Sequence, residues 1–174
     1  LKELPPQLPI RYKWEFLVPG RSSFYSLETA TIYDDQRFQW NFVTKNNITI
    51  WWHDRENNFG EELISVAEES LKKQKSVFGL EDDFPLFLVI ENTENEQIAW
   101  NENSRLLFGG STYPELGLTV HIITDTMSDK ELNRTISHGI SHIYFYNAVN
   151  HENTYPNWLD AGLAVYNESG THSH

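Results

Sequence analysis

The sequence predicts an α+β domain, and three observations predict it. Between residues 47 and 124 lie three apolar runs of strand length: Asn47–His53 (NITIWWH), Pro85–Glu91 (PLFLVIE) and Leu118–Thr124 (LTVHIIT). Two longer segments, opening at Asn58 and Ser128, repeat their apolar residues every three to four positions, which is the period of an amphipathic helix. Ahead of both, Ile10–Leu17 and Phe24–Tyr33 are strand candidates separated by Pro19-Gly20, which reads as a β-hairpin.

The chain has 174 residues, enough for one domain with a core. It carries 13 basic and 25 acidic residues, a formal net charge of −12. That balance argues against nucleic acid or an anionic membrane as partner, because both are held through basic patches. There is no cysteine, which excludes disulfides, thiol catalysis and thiolate metal sites. No apolar run reaches the 18 residues that a membrane span needs. A start at Leu1 without a leader pattern is what a mature form or an excised piece would show.

In chain order, Leu1–Pro9 is Pro-rich and is expected to be an extended arm. The arm and hairpin form a first region, 1–45, and the main domain spans 46–174. An isolated hairpin is barely stable, so these strands should rest on the main domain or on another module. Asn58 is expected to open a helix with Glu61 completing a capping box, a buried stripe of Leu63, Ala67, Leu71 and Val77-Phe78, and Gly79 as C-cap. Lys72, Lys73 and Lys75 suit a solvated helix end. Pro85–Glu91 is apolar throughout, as a strand covered on both faces must be. Asn92–Asn103 reads as a polar loop. Leu106–Thr112 reads as a strand, with Gly109-Gly110 marking a bulge or a close backbone approach. Pro156 suits the first turn of a last helix that runs to about Asn167. A histidine at a strand end, as at His53, is more often a core or surface residue than a ligand.

The chemistry centres on Ser128–His142, SDKELNRTISHGISH. Ser128 is an N-cap and Glu131 completes its capping box. Leu132, Ile136, Ile140 and Ile143 share an apolar face, whereas His138 and His142, four apart, lie one turn from each other. That is the spacing of a helical two-histidine metal clamp. In the zinc-peptidase motif H-E-x-x-H the glutamate is the general base, and here Gly139 stands in its place.

Downstream, Trp158-Leu159-Asp160-Ala161-Gly162-Leu163-Ala164-Val165-Tyr166 follows the clamp. The two blocks together resemble the gluzincin zinc metallopeptidases, and more closely the peptidase MA-like family, whose members read H-E-x-x-H and then W-L-x-E-G-L-A-x-Y. Weaker similarity runs through Ile32–Trp40, Ile48–Asp54 and Phe108–Gly117. The resemblance implies a thermolysin N-terminal-like fold: a twisted sheet over 47–124, one helix on it, and the two-histidine helix with the last helix forming a cleft floor. It makes the hairpin the end of a β-sandwich module, and it makes the domain short at its C-terminus. It implies zinc on His138 and His142, with Ala161 at the position of the family's third ligand. Gly109, Gly110, Trp158 and Tyr166 are its candidate cleft residues, with the strand at 106–112 beside an extended peptide. It also implies an extracellular or cell-envelope setting, with a peptide or envelope protein as partner.

Both departures remove a carboxylate. Two imidazoles alone hold zinc weakly, and nothing at position 139 can take a proton from a metal-bound water. The expectation is therefore a peptidase-like domain without peptidase activity, with weak zinc or none, in which water or His151 would fill the shell. Two alternatives stay open: a working zinc hydrolase with substituted ligands, and a structural domain of a larger surface protein. Asp160 is about 100° around its helix from the ligand position and is expected to point away. Glu152 and Glu168 are further carboxylates with no assigned place. Because glutamate is the better helix former, Gly139→Glu is expected to be neutral or mildly stabilising.

Overall fold

A computed structural model of the chain describes residues 4–81, 84–100, 110–149 and 155–168. It is a mixed α+β structure. The elements are β1 (Leu8–Tyr12), β2 (Glu15–Phe16), β3 (Phe24–Tyr25), β4 (Thr29–Tyr33), β5 (Trp40–Lys45), β6 (Ile48–His53), α1 (Asn58–Phe78), β7 (Leu86–Glu91), α2 (Glu94–Trp100), β8 (Gly110–Tyr113), β9 (Leu118–Ile122), α3 (Asp129–Ala148) and α4 (Asn157–Asn167).

Five strands form the central sheet in the order β5-β6-β7-β9-β8. Its middle, β6, β7 and β9, is parallel, and both edge strands run antiparallel to their neighbours. The parallel strands are apolar because both faces are covered. On one face Ile48, Ile50, Trp52, Leu86, Leu88 and Ile90 pack against Leu63, Ile64 and Ala67 of α1 and Ile136, Ile140, Ile143 and Tyr144 of α3. On the other, Trp51, Val89, Leu118 and Val120 meet Leu8, Ile10 and Tyr33 of the N-terminal arm. The base of the hairpin thus rests on the main domain. Arg55 ties the strand ends together, through Asn92 Oδ1 (2.7 Å), the Ile123 carbonyl and Asp125 (3.1 Å).

Several expectations change in detail. The hairpin is broken into two paired ladders, β1-β4 and β2-β3. The sheet begins at Trp40 rather than Asn47, because β5 pairs antiparallel with β6. Part of the expected polar loop 92–103 is the helix α2, whose Gln97 is buried and donates to Ser111 at 2.8 Å. The N-cap of α1 is Asn57, with no side-chain cap bond, and Asn58 instead contacts Glu62 inside the helix. Val77 is exposed, and Ser70 and Gln74 take its expected place in the buried stripe. Gly79 does cap α1 in the left-handed conformation, its N–H donating to Lys75 O. Pro156 is the N-cap of α4 rather than its first helical residue.

Candidate functional site

Helix α3 is fixed at its start by the reciprocal Ser128–Glu131 capping box. Its apolar face is pressed on the sheet, which turns His138 and His142 to the opposite side, where both are part-buried. Helix α4 docks across that side. Its Asp160, Leu163, Ala164 and Asn167 recur at helical spacing and turn inward, whereas Trp158, Ala161, Gly162 and Val165 are exposed. Asn167 Nδ2 donates to Ser141 Oγ (3.3 Å), and Lys73 Nζ donates to the Asn167 carbonyl (2.7 Å) at the end of α4. A cation is favourable there because the last carbonyls of a helix carry partial negative charge.

This docking builds a linear polar chain. Arg134 Nε meets Glu168 Oε2 at 2.8 Å, and Glu168 Oε1 meets His138 Nδ1 at 3.0 Å. The two Nε2 atoms of His138 and His142 face each other at 3.1 Å, and Asp160 Oδ1 holds His142 Nδ1 at 2.8 Å. Each outer nitrogen therefore bonds a carboxylate, and each inner nitrogen points at its twin. With both Nδ1 atoms donating, two neutral rings would set two lone pairs against each other, so the contact calls for a shared cation between them. A proton can serve. A metal ion can replace it, since a ligating histidine almost always gives its other N–H to a carboxylate or carbonyl. Two nitrogens on one tetrahedral zinc at 2.0–2.1 Å stand about 3.3 Å apart, close to the separation found. Burial holds the His138 pKa below its ordinary value; the bond to Glu168 opposes this and neighbouring His142 adds to it. A neutral imidazole is the form a metal requires.

Two nitrogens are half of the four donors that a zinc shell needs. Among the described residues no group of three or more metal-ligating side chains converges. Ala161 is exposed. Asp160 corrects the expectation that it points away: the face of α4 that docks is its own, so its carboxylate bonds His142 Nδ1. Glu168, 4% exposed, does the same for His138. His151, Glu152 and Gly109 lie outside the described residues.

Gly139 is also corrected. It is buried, and a Cβ there would stand 2.6 Å from Thr119 Oγ1 and 2.7 Å from His121 Cε1 on β9. The residue lets α3 approach the sheet, so Gly139→Glu drives both methylenes and a charge into a filled space. His121 beneath it is completely buried, and its Nε2 is 3.1 Å from Thr119 Oγ1. Burial, with a smaller contribution from the charge of His138, depresses its pKa to about 3, so it is neutral at pH 7.

Gly110 lies on the edge strand β8 at φ 144°, and a Cβ would meet Val120 O at 2.0 Å. This is the close backbone approach that the paired glycines predicted. Trp158 (72% exposed) and Tyr166 lie on the outer side of α4. His53 is a core residue, stacked on Phe38 at 3.8 Å with Nδ1 2.9 Å from Asp54. Sequence reasoning missed the roles of Asp160, Glu168, Arg134 and His121. The repeat Asp160, Leu163/Ala164, Asn167 was the available signal for the docked face of α4.

Comparison of the chain with known protein families and with curated proteins gives no match. Among the described residues, no helix is long and apolar enough to cross a membrane.

Proposed function

We propose that the chain is a metallopeptidase-like domain of the gluzincin type that keeps a two-histidine metal clamp and lacks peptide hydrolysis. The observation that carries this reading is the pair His138–His142 with converging Nε2 atoms, each outer nitrogen backed by its own carboxylate. The residues present fit two positions of a zinc shell, which water would complete. Zinc would supply Lewis acidity there. Among the described residues no free base stands beside it: Gly139 has no side chain, Glu168 is engaged by Arg134 and His138, and Asp160 is engaged by His142. No hydrolytic step follows from this set. The role left to such a domain is binding, with an extended peptide or a cell-envelope protein as partner beside the edge strand β8, and an extracellular setting.

Titration of the metal-free chain with zinc tests the reading. One ion per chain should bind weakly enough to be lost on dialysis. His138→Ala and His142→Ala should each abolish it. Zinc that survives dialysis at one per chain, or binding that both substitutions leave intact, would contradict it.

A further inference from the structure

Where α1, α3 and α4 meet, a group of buried polar atoms stands without partners. The parallel strands β6 and β7 are joined through α1, and β9 runs parallel with them into α3, so the two helices run alongside each other on one face of the sheet. Their ends meet: the Phe78 ring of α1 lies 6.5 Å from Tyr144 and 6.4 Å from Phe145 of α3, centre to centre. One helical turn back along each, Gln74 comes level with Ser141, and a further turn brings Ser70 level with Ser137. Asn167 of α4 closes the groove between them. Its Nδ2 donates to Ser141 Oγ at 3.3 Å, and its carbonyl accepts from Lys73, the residue beside Gln74, at 2.7 Å. Ser70, Gln74, Ser141 and Asn167 are each at most 1% exposed. Yet Ser70 Oγ, Gln74 Oε1, Gln74 Nε2 and Asn167 Oδ1 have no hydrogen-bond partner among the described residues. Buried polar groups are almost always paired, so orphans gathered at one junction call for a partner.

We infer that an internal water molecule occupies this junction and joins α4 to α1 and α3. The chemistry of the orphaned atoms selects it. Asn167 Oδ1 and Gln74 Oε1 can only accept, Gln74 Nε2 can only donate, and Ser70 can do either. A metal cation would suit the amide oxygens and stand against the Gln74 N–H. An anion would do the reverse. Water both donates and accepts, and a buried water typically makes about three hydrogen bonds to such groups. Turning the Gln74 amide over changes nothing, because both its ends are orphaned. The lining is polar, as a hydrated cavity requires, whereas apolar cavities stay dry. The buried residues of α4 are Ala164 and Asn167, so its docking leans on polar contacts. To the bonds from Lys73 and to Ser141, the water adds a bridge from Asn167 to Gln74 and Ser70. Asn167 precedes Glu168 in the chain, so the same bridge steadies the carboxylate that bonds His138.

Water–protein NMR on the full chain tests this. Cross-peaks to a long-lived water should appear at the side-chain amide protons of Gln74. Gln74→Met, similar in length and without hydrogen-bonding groups, should hold about one long-lived water fewer by relaxation dispersion of the solvent signal. Hydrogen exchange in α4 should quicken about tenfold in that variant relative to β7, as loss of a buried polar bridge implies. A wild-type chain with no water cross-peak at Gln74 overturns the inference, whether or not the variant folds. So does a count of long-lived waters that Gln74→Met leaves unchanged, or α4 exchange that keeps its wild-type rate in it. A direct contact of the Gln74 amide with Asn167 and no water beside it also overturns the inference, giving the junction to a dry side-chain network.

Discussion

Two histidine environments lie on opposite sides of Gly139, and they differ in every respect that matters for chemistry. Above, His138 and His142 are part-buried, aligned Nε2 to Nε2, and backed by Asp160 and Glu168. Below, His121 is buried, has a hydroxyl beside its Nε2, and is held neutral. The geometry of the upper pair would suit a shared cation, whereas burial keeps the lower ring neutral. The same helix serves both, so the single residue between them is set by packing below rather than by catalysis above.

Gly139→Glu should break this contrast most strongly. The side chain meets Thr119 and His121 at under 3 Å, and overpacking of about 1–3 kcal/mol adds to the cost of an unpaired buried carboxylate. Chemical denaturation should show a loss of about 3–5 kcal/mol. An unchanged midpoint would show that α3 can lift from the sheet freely.

The acid limb of stability should report the lower site. His121 has a folded pKa of about 3 against an ordinary value of 6.5, so the unfolded chain takes up the proton first. Its stabilising effect is present above 6.5 and is lost as pH falls below that value. Between pH 7 and pH 5 the loss should be about 2 kcal/mol, with His138, shifted the same way, adding to it. His121→Gln should flatten most of this slope in urea midpoints. A slope that survives would assign the effect to other groups.

The upper site should respond to its carboxylates through metal affinity. Asp160→Asn or Glu168→Gln should weaken zinc binding about 10–100-fold, as loss of a partner behind a ligating histidine does, with the fold kept. Calorimetric titration reads this directly, and an unchanged affinity would reduce both residues to packing. The smallest effect is expected at Val77, exposed at the end of α1, where Val77→Lys should stay within about 0.5 kcal/mol.

Much of this was legible in the sequence because it is local. Periodicity gave α1 and α3, continuous apolarity gave β6, β7 and β9, and Ser128 with Glu131 gave the start of the clamp helix. What failed depends on distant approach. No local pattern says that β9 lies 2.6 Å from where a Gly139 side chain would begin. The phase of α4, and with it Asp160, is set by which face docks on α3. Helix α2 was missed because its segment is polar and short, and a buried Gln97 is not an apolar signal.

The central claim is a metal clamp without turnover, and hydrolysis of a mixed peptide library under saturating zinc tests it most directly. The account predicts no cleavage above the metal-free control, for the wild-type chain and for His138→Ala alike. Chelator-sensitive cleavage by the wild-type chain that disappears in His138→Ala would contradict it, and would mean that another group supplies the base beside the metal.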